Sequence, residues 1–246
     1  MTIDNEFVYR TVNLNGMDMP TIPAVLHESY AQCYDDVVVC SLLESYQHIN
    51  KIKLSQHNLT YIEVGANHPV STSSTFLISK TFNVGGYLVE PNPELANQLR
   101  IHRDRDSIIE AAVTVDKEKT IDFFICSENE VSSLDKTFVE KWSGATTNFP
   151  GVKEKITVKA ININDLLSLV EKFSVVVLTI DVEGFDLKIL QNIYYDKYRP
   201  YIIVVEPSEA YAPGNTQKMI EFMSTKQYRL VGANFVNLIF QDTKRD

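Results

Sequence analysis

The hydrophobic pattern of this chain alternates between short apolar runs and segments whose apolar residues repeat at a helical spacing. Five runs have the length and composition of strands and end near glycine, proline or acidic residues: 59–67, 85–93, 107–115, 174–181 and 201–207. The helical segments are 35–49, 73–82, 93–103, 162–173, 186–193 and 215–226. Strands that alternate with helices predict an α/β domain, in which helices cover both faces of a parallel sheet.

The middle and the end of the chain depart from this alternation. The segment YRLVGANFVNLIFQD (228–242) predicts a closing antiparallel hairpin with its turn at 232–234. In the middle, 119–126 and 154–161 alternate as strands do. The segment between them, 127–153, has little periodicity, and a loop of this length inside a domain is often functional. We therefore predict that this loop covers a substrate.

The composition fits one globular domain of 246 residues, 44% of them hydrophobic and 22% charged. We expect residues 1–27 to form an irregular arm and residues 28–246 to form the domain. The formal net charge of −9 argues against nucleic acid as a partner, because phosphates require a basic face. Three cysteines without a CxxC pair indicate free thiols in a reducing compartment. No signal peptide or membrane-spanning run is visible, so we expect a cytoplasmic protein.

The chemistry is expected at the carboxyl ends of the predicted parallel strands, because ligands of such sheets bind there. These ends read EVGAN, VEPN and IDVEG. Gly65 follows the first strand, where the absence of a side chain lets a ligand approach the backbone. Glu90 ends the next strand, 25 residues later, at the spacing of an acid that binds the two hydroxyls of a ribose. The pattern suggests an adenosine-containing ligand.

The remaining residues narrow the choice of adenosine ligand. The stretch GANHP lacks two of the three glycines of a dinucleotide-binding loop, and a Walker A loop is also absent. S-adenosyl-L-methionine has no phosphates and carries a sulfonium cation, which the acids of EVGAN and DVEG would favour. The sequence therefore favours a methyl donor.

A methyl transfer to a hydroxyl also needs a base, and four side chains near the strand ends are candidates. Asp181 ranks first because the strand end fixes it; His68, Glu183 and Glu206 follow in that order. An alternative role for the two acids of DVEG is to cap the following helix, whose N-terminus favours negative charge. No trio of metal ligands stands out by spacing, so no metal is predicted; Mg²⁺ held by clustered carboxylates such as Asp181 and Glu206 stays open as an alternative.

At this point the chain resembles the FkbM-type methyltransferases over roughly residues 28–240. Four segments carry the resemblance in the order that the family has them: SYAQCYDDVVV, YIEVGANHP with SSTF, VEPNPELANQL, and IDVEGFDLKIL with RPYIIVVE. The resemblance implies a class I methyltransferase fold: a Rossmann-like, doubly wound, seven-stranded sheet with an antiparallel C-terminal strand. It also implies O-methylation, often of a sugar hydroxyl, with S-adenosyl-L-methionine as cofactor and a sugar or sugar nucleotide as partner.

The same resemblance implies roles for individual residues. The methionine end of the cofactor would contact Glu63, Gly65, Ala66 and Asn67; the ribose would contact Glu90 and the adenine Asn92; Asp181 would face the methyl group, and Ser29 and Gln32 would reach the site from the N-terminal segment. Trp142 in the middle loop and Glu206 are candidate substrate contacts. A non-catalytic cofactor-binding module and a methyltransferase of a small natural product stay open as alternatives, as does a homodimer.

Overall fold

The computed structural model describes residues 11–14, 17–20, 28–126, 131–145 and 151–244, and only the backbone of 11–14, 17–20 and 141–145. The strands in chain order are β1 (Thr11–Leu14), β2 (Met17–Pro20), β3 (Leu59–Val64), β4 (Tyr87–Val89), β5 (Ser107–Ile109), β6 (Ala112–Thr114), β7 (Thr120–Cys126), β8 (Val152–Asn162), β9 (Val175–Ile180), β10 (Ile202–Val205), β11 (Tyr228–Ala233) and β12 (Leu238–Asp242). The helices are α1 (Asp35–Asn50), α2 (Phe76–Phe82), α3 (Pro93–His102), α4 (Lys136–Ala145), α5 (Ile163–Ser168), α6 (Asp186–Gln191) and α7 (Asn215–Thr225).

The main sheet has seven strands in the order β11-β12-β10-β9-β3-β4-β5. Strands β10, β9, β3, β4 and β5 are parallel, and β12 runs antiparallel to both of its neighbours. This is the predicted class I methyltransferase fold with a reversed last strand, which is thereby confirmed. The predicted hairpin over 228–242 is also confirmed, since β11 and β12 pair antiparallel.

The two faces of the sheet bury separate hydrophobic clusters, because successive side chains of a strand point to opposite faces. Val175 and Val177 of β9 pack with helices α1 and α2, whereas Val176, Leu178 and Ile180 pack with α5, α6 and α7. Both central strands, β3 and β9, are buried along their whole length. Apolar residues at every position are what a strand covered on both faces requires.

Three local predictions differ from the structure. The predicted strand 107–115 is divided, and its second half, β6, joins a separate three-stranded sheet in the order β6-β8-β7. The segment 127–153 contains helix α4, although its sequence showed little periodicity. Within the predicted irregular arm, β1 and β2 pair as a short antiparallel hairpin. Across the part of the chain that the structure describes, no helix has the length and apolar content to span a membrane.

Candidate active site

A cavity of about 370 Å³ opens at the carboxyl ends of the parallel strands. Its wall takes residues from the ends of β3, β4, β9 and β10, from the segment between β5 and β6, and from the turn between β11 and β12. Residues 131–138, before and within α4, complete the wall. The sequence-predicted residues that line this cavity are Gln32, Gly65, Ala66, Asn67, Glu90, Asp181, Glu183 and Glu206.

The turn after β3 passes against the end of β9 at Gly65. This residue has φ +80°, and a Cβ placed there would overlap the carbonyl oxygen of Asp181. The backbone N–H groups of Gly65 and Ala66 both donate to the carbonyl of Val89, at 3.0 and 3.1 Å. The turn is therefore fixed to both neighbouring strands, and its side-chain-free backbone forms the floor of the cavity.

Glu90 is buried at the end of β4 and lines the cavity. One carboxylate oxygen accepts the N–H of Asn67 at 2.9 Å, and the other accepts the N–H of Asn92 at 2.8 Å. Burial raises the pKa of Glu90 to about 7, against the lowering effect of these two N–H groups. The carboxylate keeps lone pairs for further donors, which is the chemistry that a ribose diol needs.

Three acids meet at the ends of β9 and β10. Asp181, Glu183 and Glu206 each place a carboxylate oxygen within 4.8 Å of the others. Burial and then the neighbouring charge of Asp181 raise the pKa of Glu206 to about 11. Its Oε2 is buried without a hydrogen-bond partner among the described residues. This spacing would admit a divalent cation, but acidic clusters are common without one, and we infer no metal site from it.

Asp186 was not among the predicted site residues, although it holds the Asp181–Gly184 turn. Its carboxylate accepts the N–H groups of Val182 and Gly184, at 2.9 and 3.0 Å. Burial, followed by the charge of Asp181, raises the pKa of Asp186 to about 7. Asp186 therefore holds the turn by hydrogen bonds and is not part of the cavity wall. Asp186 is the first residue of α6, and the residue at the N-cap position, Phe185, makes no side-chain capping hydrogen bond.

The segment around α4 forms the part of the cavity wall that contacts residues after β9 and β10. The hydroxyl of Tyr211 donates to Asp135 at 2.9 Å, and its ring lies 4.7 Å from that of the buried Phe138. Ser133 donates to the carbonyl of Glu183 at 2.8 Å. These contacts fix residues 131–138 over the ends of β9 and β10. The part of the middle segment that the structure describes thus contributes to the wall of the site.

The N-terminal segment reaches the cavity because Asp36 holds it in place. The buried carboxylate of Asp36 accepts hydrogen bonds from the hydroxyl of Ser29 and from the N–H groups of Tyr30, Ala31 and Val37, at 2.6 to 3.2 Å. Gln32 follows this anchored stretch and lines the cavity. Ser29 itself does not line it; its hydroxyl helps to anchor the segment.

The adjacent acid, Asp35, anchors the turn between β11 and β12. Its carboxylate is buried and accepts the side-chain N–H groups of Asn234 and Asn237. Asn234 in turn accepts the N–H of Val236 at 2.8 Å. The residue between them, Phe235, is fully exposed and lines the cavity. From the sequence alone, Phe235 had no predicted role. The signal that could have indicated one is its position between Asn234 and Asn237, next to the predicted hairpin turn.

Glu63 was predicted to contact the cofactor, but its side chain points elsewhere. Because Leu59 and Tyr61 of β3 face helices α1 and α2, residue 63 faces the same way. There Glu63 accepts hydrogen bonds from Ser73, Thr75 and the N–H of Ser74, and it does not line the cavity. Arg103 lies on the same buried network and donates to Ser73 and Thr75 at 3.0 and 3.1 Å.

The other predicted residues outside the cavity wall have local partners or undescribed side chains. Asn92 caps α3 by accepting the N–H of Glu94. His68 is exposed, and its Nδ1 accepts the N–H groups of Val70 and Ser71 in a turn. Trp142 belongs to α4, but the structure describes only its backbone, so the prediction that its side chain contacts the substrate lies outside the described part. We infer that Asn92 and His68 shape the turns that bring Glu90 and Asn67 to the site.

Comparison with known proteins adds a family to this geometry. The model of the methyltransferase FkbM domain matches residues 63–230, more than half of the chain. No curated protein sequence matches the chain.

Solved structures show weaker likenesses. The FkbM methyltransferase from Methylobacillus flagellatus KT is 10% identical, with a TM-score of 0.45 over 85% of this chain and 53% of that one. A point mutant of MtNAS in complex with S-adenosylmethionine is 14% identical, with a TM-score of 0.37 over 85% of this chain and 63% of that one. M. jannaschii TYW2 in complex with AdoMet is 9% identical, with a TM-score of 0.32 over 94% of this chain and 85% of that one. The chain thus spans less than two thirds of the first two proteins.

Proposed function

We propose that this chain, which belongs to the FkbM methyltransferase family, is an O-methyltransferase that methylates a hydroxyl group of a sugar with S-adenosyl-L-methionine. The family match confirms the prediction of a methyltransferase that depends on this cofactor. The choice of a sugar hydroxyl rests on the resemblance described above and on the acids at the ends of β9 and β10. The single observation that carries the proposal is the buried carboxylate of Glu90 beside the bare backbone of Gly65.

The residues of the cavity fit the cofactor. When bound, S-adenosyl-L-methionine supplies an electrophilic methyl group on a positively charged sulfur. We propose that Glu90 accepts hydrogen bonds from the two ribose hydroxyls, at about 1.5 to 3 kcal/mol each. The N–H of Asn67, which already contacts Glu90, orients that carboxylate toward the cavity. Asp181 supplies negative potential at the end of β9, where it would stabilise the sulfonium.

The chain's own part in the transfer is to place the hydroxyl and to take its proton. With the cofactor bound, the hydroxyl oxygen would take the methyl group and the sulfur would be left as a neutral thioether. We propose that Asp181 accepts the hydroxyl proton, because the turn held by Asp186 fixes it at the strand end. Holding the oxygen in line contributes roughly 7 to 11 kcal/mol to such a reaction. Glu183, the third candidate base from the sequence, lines the cavity beside Asp181, whereas the second candidate, His68, is exposed and lies outside the cavity wall.

Calorimetric titration with S-adenosylhomocysteine tests the cofactor site. We expect binding to the wild type and a loss of roughly 100-fold or more in the Glu90→Ala variant, since two charge-assisted hydrogen bonds disappear. Glu94→Ala is the matched control, because Glu94 is exposed on the next turn and does not line the cavity. NAD serves as the comparison ligand. Binding of NAD in place of the thioether would refute the assignment.

A second titration separates catalysis from cofactor binding at Asp181. We expect Asp181→Asn to lower turnover strongly while S-adenosylhomocysteine affinity changes by no more than a few fold. If affinity falls with turnover, Asp181 belongs to the cofactor pocket. If neither changes, the base lies elsewhere. A wild-type protein that binds S-adenosylhomocysteine but turns over no acceptor would instead be a non-catalytic cofactor-binding module.

We also propose that the protein works in a reducing compartment, the cytoplasm. All three cysteines are free thiols: Cys33 is partly exposed, and Cys40 and Cys126 are buried. Oxidising compartments favour disulfide pairing in secreted proteins, whereas the cytosol keeps thiols reduced. A cytoplasmic enzyme would have sugar nucleotides, lipid-linked sugars and unmodified glycans within reach, so the acceptor has to be decided from the site itself.

A further inference from the structure

The cavity wall is strongly acidic beyond the carboxylate that we assign to the ribose. Besides Glu90, it contains Asp181, Glu183, Glu206 and Glu209. Glu206 keeps a proton near neutral pH, because burial and Asp181 raise its pKa, so the negative charge on the side where the acceptor hydroxyl would meet the methyl group comes from Asp181, Glu183 and Glu209. The charged side chains among the described lining residues are all carboxylates. An acceptor must therefore enter a negative potential, which is stronger inside a partly closed cavity than in bulk water.

Negative potential discriminates between classes of sugar. A phosphate or pyrophosphate brought next to these acids is repelled, because like charges destabilise one another at short range. A neutral hydroxylated sugar is not repelled, and its hydroxyls can donate hydrogen bonds to the carboxylates. An amino group would be attracted as a cation. The acidic wall thus favours acceptors in the order amine-bearing, neutral, phosphorylated.

A second and independent feature of the wall is the exposed ring of Phe235. Its side chain is fully exposed, although the turn that carries it is fixed by the bonds of Asn234 and Asn237 to buried Asp35. Because Phe235 also lines the cavity, its exposed ring is placed where a bound ligand would contact it. An aromatic face binds the apolar face of a ring and also attracts an ammonium group.

From these two features together we propose that the acceptor is a sugar without phosphate groups, neutral or amine-bearing, whose ring packs against Phe235. This inference rests on the proposed function and narrows it, since sugar nucleotides and sugar phosphates are excluded from the acceptor class. The acids that follow β9 and β10 would then act in two ways: they stabilise the cationic donor, and they repel anionic acceptors. Phe235 supplies the contact area that a neutral sugar needs.

The test uses pairs of acceptors that differ in their phosphate groups. Glucosamine is paired with glucosamine 6-phosphate, and N-acetylglucosamine with UDP-N-acetylglucosamine. Each is incubated with stoichiometric enzyme and S-adenosyl-L-methionine labelled in the methyl group, so that slow acceptors are still counted. We expect at least tenfold more transfer to the unphosphorylated member of a pair. Binding of S-adenosylhomocysteine is measured on the same protein.

The outcomes separate this inference from the proposed function. Equal transfer within a pair, or preference for the phosphorylated member, overturns the inference and leaves the methyltransferase assignment intact. No transfer to any member by a protein that binds S-adenosylhomocysteine overturns both the sugar acceptor and the inference. The assays are run with EDTA and again with Mg²⁺. If Mg²⁺ alone makes the phosphorylated members good acceptors, the acids act through a cation, and the inference is wrong.

Two variants test the residues that carry the argument. Phe235→Ala is expected to raise the KM for the preferred acceptor about tenfold, with kcat and S-adenosylhomocysteine affinity changed less than twofold. Tyr194→Ala is the matched control, because Tyr194 is 66% exposed and lies outside the cavity wall. Glu183→Gln is expected to narrow the preference for the unphosphorylated member several fold. An unchanged KM in Phe235→Ala would remove the ring contact from the proposal.

Discussion

At the scale of single residues, the site depends on the close approach of two backbones. Gly65 has a left-handed conformation, and its missing side chain leaves just enough room for the carbonyl oxygen of Asp181. The same turn places the N–H of Asn67 on Glu90. One glycine therefore sets the distance between the acid that we assign to the ribose and the acid that we assign to the acceptor hydroxyl. The sequence alone indicated a bare backbone at Gly65, but not which strand it approaches.

We predict that Gly65→Ala destabilises the fold and abolishes cofactor binding. The substitution combines left-handed strain with overlap against a backbone oxygen, and these costs sum to roughly 2 to 6 kcal/mol. Gly214→Ala is the control, because Gly214 has φ +86° but nothing within 4 Å of an added Cβ. It should cost about 1 to 3 kcal/mol and leave binding intact. Urea denaturation and S-adenosylhomocysteine titration measure both effects. Equal losses in the two variants would contradict the overlap.

The raised pKa of Glu90 predicts a pH-dependent affinity for S-adenosylhomocysteine. Burial raises this pKa to about 7 in the free protein. Because ribose hydroxyls donate to the ionised carboxylate, binding must displace the proton at lower pH. The affinity should fall roughly 10- to 30-fold between pH 7.5 and pH 5.5. Glu90→Gln should bind more weakly with little pH dependence. A slope that persists in the variant would assign it to another group, of which Asp186 is the first to examine.

At the scale of elements, the alternation of faces along β3 explains why Glu63 does not line the cavity, although the strand itself was predicted. The strand was expected from its apolar run, and it forms at Leu59–Val64. The resemblance implied that Glu63 contacts the cofactor, but a sequence motif does not show to which face of the strand its side chain points. The strand turns this residue toward Ser73 and Thr75, where its burial is matched by hydrogen bonds and by Arg103. Such a network is a tertiary property, and no local pattern predicted Arg103.

Helix α1 acts as the anchor for two segments of the site, and Asp36 is its critical residue. We predict that Asp36→Ala destabilises the protein by on the order of 3 kcal/mol, because it removes charge-assisted hydrogen bonds and leaves N–H groups unmatched. Residues 28–34 should then become sensitive to limited proteolysis. Glu44→Ala, on the same helix, is the control for helix stability. Unchanged proteolysis of residues 28–34 would show that other contacts hold this segment.

At the scale of the whole molecule, the parallel sheet and the position of the site could be predicted, whereas the closure of the site could not. Repeating apolar patterns report strands and helices, and the carboxyl ends of parallel strands follow from them. Helix α4 gave no such pattern. Its buried Phe138 packs on Tyr211, and Tyr211 bonds to Asp135, so its position depends on contacts between residues about 75 positions apart in the chain. The acidic character of the cavity likewise depends on β9 and β10 ending side by side.

The cluster of Asp181, Glu183 and Glu206 at the ends of β9 and β10 should make the protein less stable as the pH rises. The pKa of Glu206 is raised to about 11, from an ordinary value of 4.5, by burial and then by Asp181. Between these values the folded protein binds a proton that the unfolded chain does not, so stability is lost as the pH rises through this window, by at most about 1.4 kcal/mol per pH unit. Glu90 and Asp186, with pKa values of about 7, add to the loss near neutrality.

We therefore predict that Glu206→Gln stabilises the protein, and that the gain grows by roughly 1 to 3 kcal/mol between pH 6 and pH 8. Glutamine keeps the shape and needs no proton, so the loss with pH disappears for this group. Glu209→Gln is the control, since hydrogen bonds from Gly214 and Thr216 lower the pKa of Glu209 to about 2 and keep it ionised throughout this range. Urea denaturation at pH 6, 7 and 8 measures both differences. A constant difference for Glu206→Gln would mean that Glu206 is ionised in the folded protein and that its charge is balanced within the cavity.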